Sequence, residues 1–359
     1  MTGALHLRGA VLPDDIVRDV WIVGDRLTFE PVPGAETVAD RGFLLPGLVD
    51  AHCHIGLDPG GPLSGLDDVR RLAGIDRDAG VLTIRDAGGP LDYAELDEEP
   101  DIPRLVRAGR HLAPPKRYLP GVAIECDGPE LVRQAAIQAR AGTGWIKLVG
   151  DWIDRDAGEL SPTYDDATFA DVVAAAHGAG ARVAVHTFSE AALPGLLAAG
   201  VDSIEHGTGL STDLIDVMAR QGTALVPTLT NVENFAGIAD RAQAKFPAYA
   251  DHMRRLRAGF ADVVRAAYEA GVPIYCGTDA GGGVPHGQAA GELLRLATVG
   301  MAPLDVLAAG SWKARTWLGL PGIEEGGLAD LVVYDTDPRH DLRVLTAPRH
   351  VVLRGRVVR

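Results

Sequence analysis

The chain has 359 residues, 47% hydrophobic and 23% charged, with a net charge of −15. Such a composition fits a globular protein of one large domain plus a small one. An acidic chain without a Lys/Arg-rich run argues against nucleic acid or an anionic membrane as partner, leaving a small molecule as the expected one.

Three cysteines, Cys53, Cys126 and Cys276, show no CxxC spacing. A disulfide framework is not expected, and a reducing cytoplasm is. The opening MTGALHLRGAVLPDD lacks the basic and apolar regions of a secretory signal. No apolar stretch has the length of a bilayer span.

In chain order, residues 1–45 read as short alternating strands with turn signals. A refrain then begins, in which a helix-like run ends in Gly and a β-type run follows at once. DAGVLTIRDAG, GTGWIKLVG, GAGARVAVHTF, AAGVDSIEHG, RQGTALVPTLT and EAGVPIYCGTDAG are its instances. Gly just past a helix end suits the left-handed cap. The Val/Ile/Leu-rich runs lack clean alternation, as expected of parallel strands buried on both faces. With GLVDAHCH and PRLVRAGR, eight strands are predicted: 47–54, 81–88, 103–110, 144–150, 182–188, 202–208, 223–230 and 273–279. Helical patterns separate several of them, including YDDATFADVVAAAHGAG and a long stretch over 234–270 with a break at Pro247. Residues 323–359 return to short strands, as in ADLVVYDTDP and PRHVVLRGRVV.

The pattern predicts an α/β fold: a (β/α)8 TIM-like barrel over 46–322 with a small β-sandwich domain from both termini, 1–45 and 323–359. The competing fold is an open doubly wound sheet. It wants a Gly-rich phosphate loop after the first strand, and HCHIGLDPGG is a poor one.

Barrel sites are built at the C-terminal strand ends. There the first strand offers His52 and His54, the fourth Lys147, the fifth His186, the sixth His206 and the eighth Asp279. Residues i and i+2 of a strand share a face, so His52 and His54 project together. A metal ion would satisfy two buried imidazoles; so would ordinary hydrogen-bond partners. Singly, His186 and His206 also read as satisfied core histidines, Asp279 as a turn cap and Lys147 as half of an ion pair. Jointly, four His and one carboxylate form a coherent donor set for a metal such as zinc.

The ordered set DAHCH, IKLVG, AVHTF, IEHGT and GTDAG resembles the amidohydrolase superfamily, in particular its imidazolonepropionase-like, metal-dependent prolidase-like branch. The resemblance covers nearly the whole chain. It implies two divalent metal ions, with zinc the expected ion, and an N6-carboxylated Lys147 bridging them. By the same resemblance, His52, His54, Lys147 and Asp279 hold one metal, and Lys147, His186 and His206 the other. A metal-bridged hydroxide would attack the scissile carbonyl, with Asp279 as general base and then general acid. Cys53, between the two histidines, is expected to point away from them.

The loop after the third strand, GRHLAPPKRYLPG, offers Arg110, His111, Lys116, Arg117 and Tyr118, either to capture an anionic substrate group or as a solvated basic loop. Thr228, Thr230 and Asn231 after the seventh strand, and His286 and Glu292 after the eighth, are further candidates for substrate binding. The family's TGGH-like stretch is replaced here by LAPPKRY, and ECDG stands where ADG is usual. Three activities remain in view: hydrolysis of a small amide, dipeptidase or prolidase-like or of an N-acyl amide; hydrolysis of a cyclic amide, lactone or organophosphate ester; and deamination of a heterocycle. Deaminases of the superfamily usually lack the strand-four lysine and carry HxxE, whereas Glu190 lies four residues after His186. Homo-oligomerisation is left open.

Overall fold

The computed structural model describes residues 3–359. Seven strands form its parallel core: β1 Leu48–Cys53, β2 Val81–Asp86, β3 Arg104–Arg107, β4 Trp145–Val149, β5 Arg182–Thr187, β6 Ser203–His206 and β7 Ala224–Val226. Every residue of β1, β2, β4, β6 and β7 is buried, which explains why these runs do not alternate. β1 pairs with β2 and β2 with β3, all parallel. β4, β5, β6 and β7 pair in chain order in a second parallel sheet.

The expected eighth strand makes no ladder. Its segment contributes two single parallel bridges, Ile274 to Leu225 of β7 and Ala280 to Cys53 of β1. Pro273 has no N–H to give, and the Cys276 N–H turns to the Ala309 carbonyl at 3.0 Å. What remains is enough to seat the segment between the sheets: Ala51 N–H donates to Cys276 O and Asp279 N–H to His52 O, both at 2.7 Å. Across the other side, Thr143 N–H reaches Arg107 O of β3 at 2.8 Å. The strands therefore form two parallel sheets joined by isolated bonds, and not one continuous hydrogen-bonded ring.

Helices α1 Leu66–Asp78, α2 Gly128–Ala141, α3 Asp166–Gly178, α4 Leu193–Ala199 and α5 Thr212–Gln221 alternate with these strands. Asp165 caps α3 by accepting the Thr168 N–H at 2.8 Å. Gly200 and Gly222 end α4 and α5 with φ of 84° and 73°, where a side chain would be strained. After β7 come a single turn, α6 Leu229–Val232, then α7 Phe235–Ala242 and α8 Pro247–Glu269. The break falls at Pro247, which is tolerated at the start of a helix and not in its interior. Helix α9, Ala289–Thr298, follows the eighth segment. A hairpin of Asp151–Asp154 and Glu159–Pro162 rises directly after β4.

Both termini meet in one sheet of eight strands. Leu331–Tyr334 pairs antiparallel with Phe43–Pro46, which leads through Gly47 into β1. Leu7, Val20, Ile22, Leu44, Leu331 and Val333 pack there as a core of their own. The pairings join these strands in a single sheet; the expected sandwich of two sheets is not shown. Among the described residues no helix is long and apolar enough to cross a membrane.

Candidate metal centre

The first strand delivers His52 and His54 to one point, with Nε2 at 3.3 and 3.0 Å from Oδ1 of Asp279. Lys147, in the middle of β4, brings Nζ to 3.2 Å from His52 Nε2. Beside them, His186 Nδ1 and His206 Nε2 approach to 3.0 Å, and the His52 and His206 rings are 5.1 Å apart. All six side chains named from the strand ends thus converge. Asp279 and His206 hold positive φ, 59° and 66°, as does Thr228 at 48°. Half of the six non-glycine residues with positive φ among the described ones therefore stand at this site, where such strain tends to collect.

The hydrogen-bond partners fix which nitrogens face inward. His54 Nδ1 lies 2.8 Å from the Gly88 carbonyl oxygen, which can only accept, so this nitrogen carries the proton. His52 Nδ1 lies 2.7 Å from Glu205 Oε2. Burial would push the Glu205 carboxyl up, yet Arg85, His52 and Lys147 hold it well below the usual carboxylate range. As a carboxylate it too can only accept. Nε2 is therefore the nitrogen that His52 and His54 each turn toward Asp279 Oδ1. His186 Nε2 is buried without a hydrogen-bond partner. Groups of this kind repel one another unless a proton or a cation stands between them, and the set of imidazoles and a carboxylate suits a divalent metal.

The electrostatics agree. Burial holds the imidazoles of His186 and His206 well below their ordinary value, so both are neutral and able to ligate. Burial would raise Asp279, but the contacts from His52 and His54 hold it well below the carboxylate range. Burial brings Lys147 down to about 8, against the pull of Glu205 and Asp279.

Residues 157–358 match the amidohydrolase family. An uncharacterized protein of Mycobacterium tuberculosis is 52% identical over 353 residues, 98% of this chain and 95% of that one. The chain belongs to the amidohydrolase family. The ochratoxinase of Aspergillus niger is 28% identical over 240 residues, 63% of this chain and 48% of that protein. Among solved structures, a Xaa-Pro dipeptidase with bound methionine in its active site superposes with a TM-score of 0.83 at 24% identity, covering 99% of both chains. A putative prolidase from Bifidobacterium longum gives 0.84 at 24%, covering 100% of this chain and 95% of that one. These likenesses establish that the chain has the amidohydrolase fold, with its mixed α/β content, and the family makes it a hydrolase acting on C–N bonds.

The substrate-facing residues expected of this amidohydrolase divide. His111 is fully buried, stacked on His54 at 5.1 Å, with neither ring nitrogen hydrogen-bonded. Burial above all holds its imidazole well below the ordinary value, so it is neutral. Tyr118 packs on His111 at 5.0 Å and on Trp152 of the hairpin at 4.8 Å, and so joins the centre. Thr228 Oγ1 meets His206 Nδ1, and Asn231 Nδ2 donates to Asp279 Oδ2, both at 2.7 Å.

The basic residues do not gather there. Arg110 lines a separate cavity of about 220 Å³ with Asp86, Tyr93 and Arg107. Lys116 is exposed. Arg117 is spent on the hairpin, donating to Ser161 Oγ at 2.8 Å and to the Trp152 carbonyl at 3.1 Å. His286 sits instead with Cys53 and Asp76, its Nδ1 2.7 Å from Asp76 Oδ2, because Cys53 points to the opposite side of β1 from the two histidines.

Sequence reasoning missed Glu205, Arg85 and Gly88, which orient the ligands. Glu292 was named only as a candidate to face the substrate; that its carboxyl group instead anchors the turn after β7 was not foreseen. Only the acid in IEHG, one residue before His206, hinted at a partner, and nothing in the sequence connects it to His52.

Proposed function

We propose that the chain hydrolyses the amide bond of a small substrate at a binuclear metal centre. His52, His54, Lys147 and Asp279 would hold one divalent ion and Lys147, His186 and His206 the other, with Lys147 carboxylated on Nζ and zinc as the ion. The observation that carries this reading is the convergence of His52 Nε2 and His54 Nε2 on Asp279 Oδ1, each within 3.3 Å of it. Lys147 supports it, since an amine brought down to about 8 can lose its proton and add carbon dioxide. When bound, such ions polarise a carbonyl and make water acidic enough to react at neutral pH.

The chain's own groups do the rest. Asp279 turns Oδ1 to the histidines and Oδ2 to Asn231, and is the group placed to take a proton from water and return it to the leaving nitrogen. His111, Tyr118 and Trp152 form an aromatic wall that excludes water on one side. Glu190, one position beyond the HxxE spacing of a deaminase, is mostly exposed and pairs with His252 at 2.9 Å, which favours hydrolysis over deamination.

The two parallel sheets and the bridging segment 273–280 are read as one (β/α)8 barrel over 46–322, with the terminal sheet as a small second domain. Three free, buried cysteines suit a reducing cytoplasm. The names of the relatives, Xaa-Pro dipeptidase and ochratoxinase, support an amide with an amino-acid part as substrate. The test is a screen of the zinc-loaded chain against Xaa-Pro dipeptides and N-acyl amino acids, beside lactones, organophosphate esters and aminoheterocycles. Turnover confined to the amides supports the reading; turnover confined to the others overturns it.

A further inference from the structure

Glu292 is a fully buried carboxylate that the reaction outlined above does not use. It projects from α9 to the turn that follows β7. Oε1 accepts the Leu229 N–H at 2.7 Å; Oε2 accepts the Thr230 N–H at 2.8 Å and the Thr230 hydroxyl at 2.7 Å. Three donors on one buried carboxylate fix the turn's position and its rotation. The residues on either side of this clamped pair are the ones that leave the turn toward the centre. Thr228, at φ 48°, sets its hydroxyl on His206 Nδ1, and Asn231 sets its amide on Asp279 Oδ2. His206 and Asp279 belong to different halves of the donor set, so one four-residue stretch orients a ligand in each. The left-handed backbone at Thr228 would relax if the turn were released.

We propose that Glu292 is a positioning residue for the metal centre. Through the turn Thr228–Asn231 it keeps His206 Nε2 and Asp279 Oδ1 aimed at the ion sites. This inference rests on the metal-centre reading. Partners that orient metal ligands typically change metal affinity by about 10–100-fold when removed.

Glu292→Gln is the probing substitution. Its amide keeps the volume but must turn an NH₂ toward at least one of the three donors, whichever way it sits. The experiment measures zinc affinity by competition with a chromogenic chelator, together with the melting temperature of the metal-free chain. It compares wild type, Glu292→Gln, Thr228→Val and the double variant. Expected is zinc binding about 10–100-fold weaker in each single variant. The double variant should be no more than about threefold weaker than the worse single, because both act through one turn and their effects are not independent.

A Glu292→Gln chain that melts lower yet binds zinc as wild type does would reduce Glu292 to packing and overturn the proposal. So would effects that multiply in the double variant. If Glu292→Gln does not fold, Glu292→Asp, which keeps the carboxyl group and shortens its reach, takes its place in the same cycle. A wild-type chain that takes up no zinc overturns the metal-centre reading and this inference together. Zinc bound with an affinity indifferent to residue 292 overturns this inference alone.

Discussion

Replacing Glu205 by Gln tests the support beneath the site. Glu205 is wholly buried; Arg85 Nη2 donates to its oxygens at 2.7 and 2.8 Å, Ser203 Oγ at 2.5 Å and His52 Nδ1 at 2.7 Å. Gln keeps the shape and removes the anion. The Arg85 guanidinium, 1% exposed, then stays buried with its bond to Ala51 O and no counter-charge. Leaving one half of a buried pair costs about 3–5 kcal/mol. An unfolding entropy of about 2.1 cal/mol/K per residue makes 1 kcal/mol equal to about 1.3 °C for a chain of 359 residues. The metal-free variant should therefore melt about 4–7 °C below wild type at pH 7, read by calorimetry.

The pH dependence has a definite sign. Burial raises Glu205 but the neighbouring cations lower it further, so its folded value lies below its unfolded one. Its contribution is full above the unfolded carboxylate range and is lost as pH falls toward the folded value. The gap between wild type and variant should narrow in acid. A gap of less than about 1 °C at neutral pH, or one that widens in acid, would refute the reasoning.

Lys147 should govern metal uptake. Its ammonium, brought down to about 8 by burial, gives way to neutral amine as pH rises through that value, so zinc uptake should quicken from pH 7 to 9 and with added bicarbonate. Uptake indifferent to both would count against the carbamate, and Lys147→Ala should retain at most one zinc. Gly277→Ala would place a Cβ 2.4 Å from Val226 Cγ1 and 2.7 Å from His52 Cβ. Denaturant unfolding should register a loss of about 1–3 kcal/mol, with weaker zinc binding because His52 is displaced. Arg117→Ala frees the hairpin that Arg117 ties at Ser161 and Trp152, and limited proteolysis should cut between 152 and 162 sooner than in wild type.

The proposed ligand set was legible because its members lie in or just beyond buried β-type runs, where period-two geometry decides the face a side chain takes; Lys147 stands in mid-strand and Asp279 on the segment that makes no ladder. Seven of the eight predicted strands lie within the predicted spans. The eighth failed as a ladder because Pro273 and the diverted Cys276 N–H remove two of its donors, a tertiary matter that apolar runs do not announce. The support for the ligands was not legible. Glu205 reaches His52 across 153 positions of sequence, and Glu292 reaches Thr230 across 62. Such pairings depend on which strands become neighbours, and no local pattern encodes them. The basic loop was open to two readings, substrate capture or a solvated face, and local charge density could not announce the partner Arg117 has in the hairpin that follows β4.

The central claim is that six side chains hold two metal ions. Its most direct test is the metal content per chain of protein purified without chelators, measured by elemental analysis for wild type and Lys147→Ala side by side. Two equivalents in wild type and no more than one in the variant is the predicted result. Wild-type protein that remains metal-free after reconstitution with zinc and bicarbonate would contradict it.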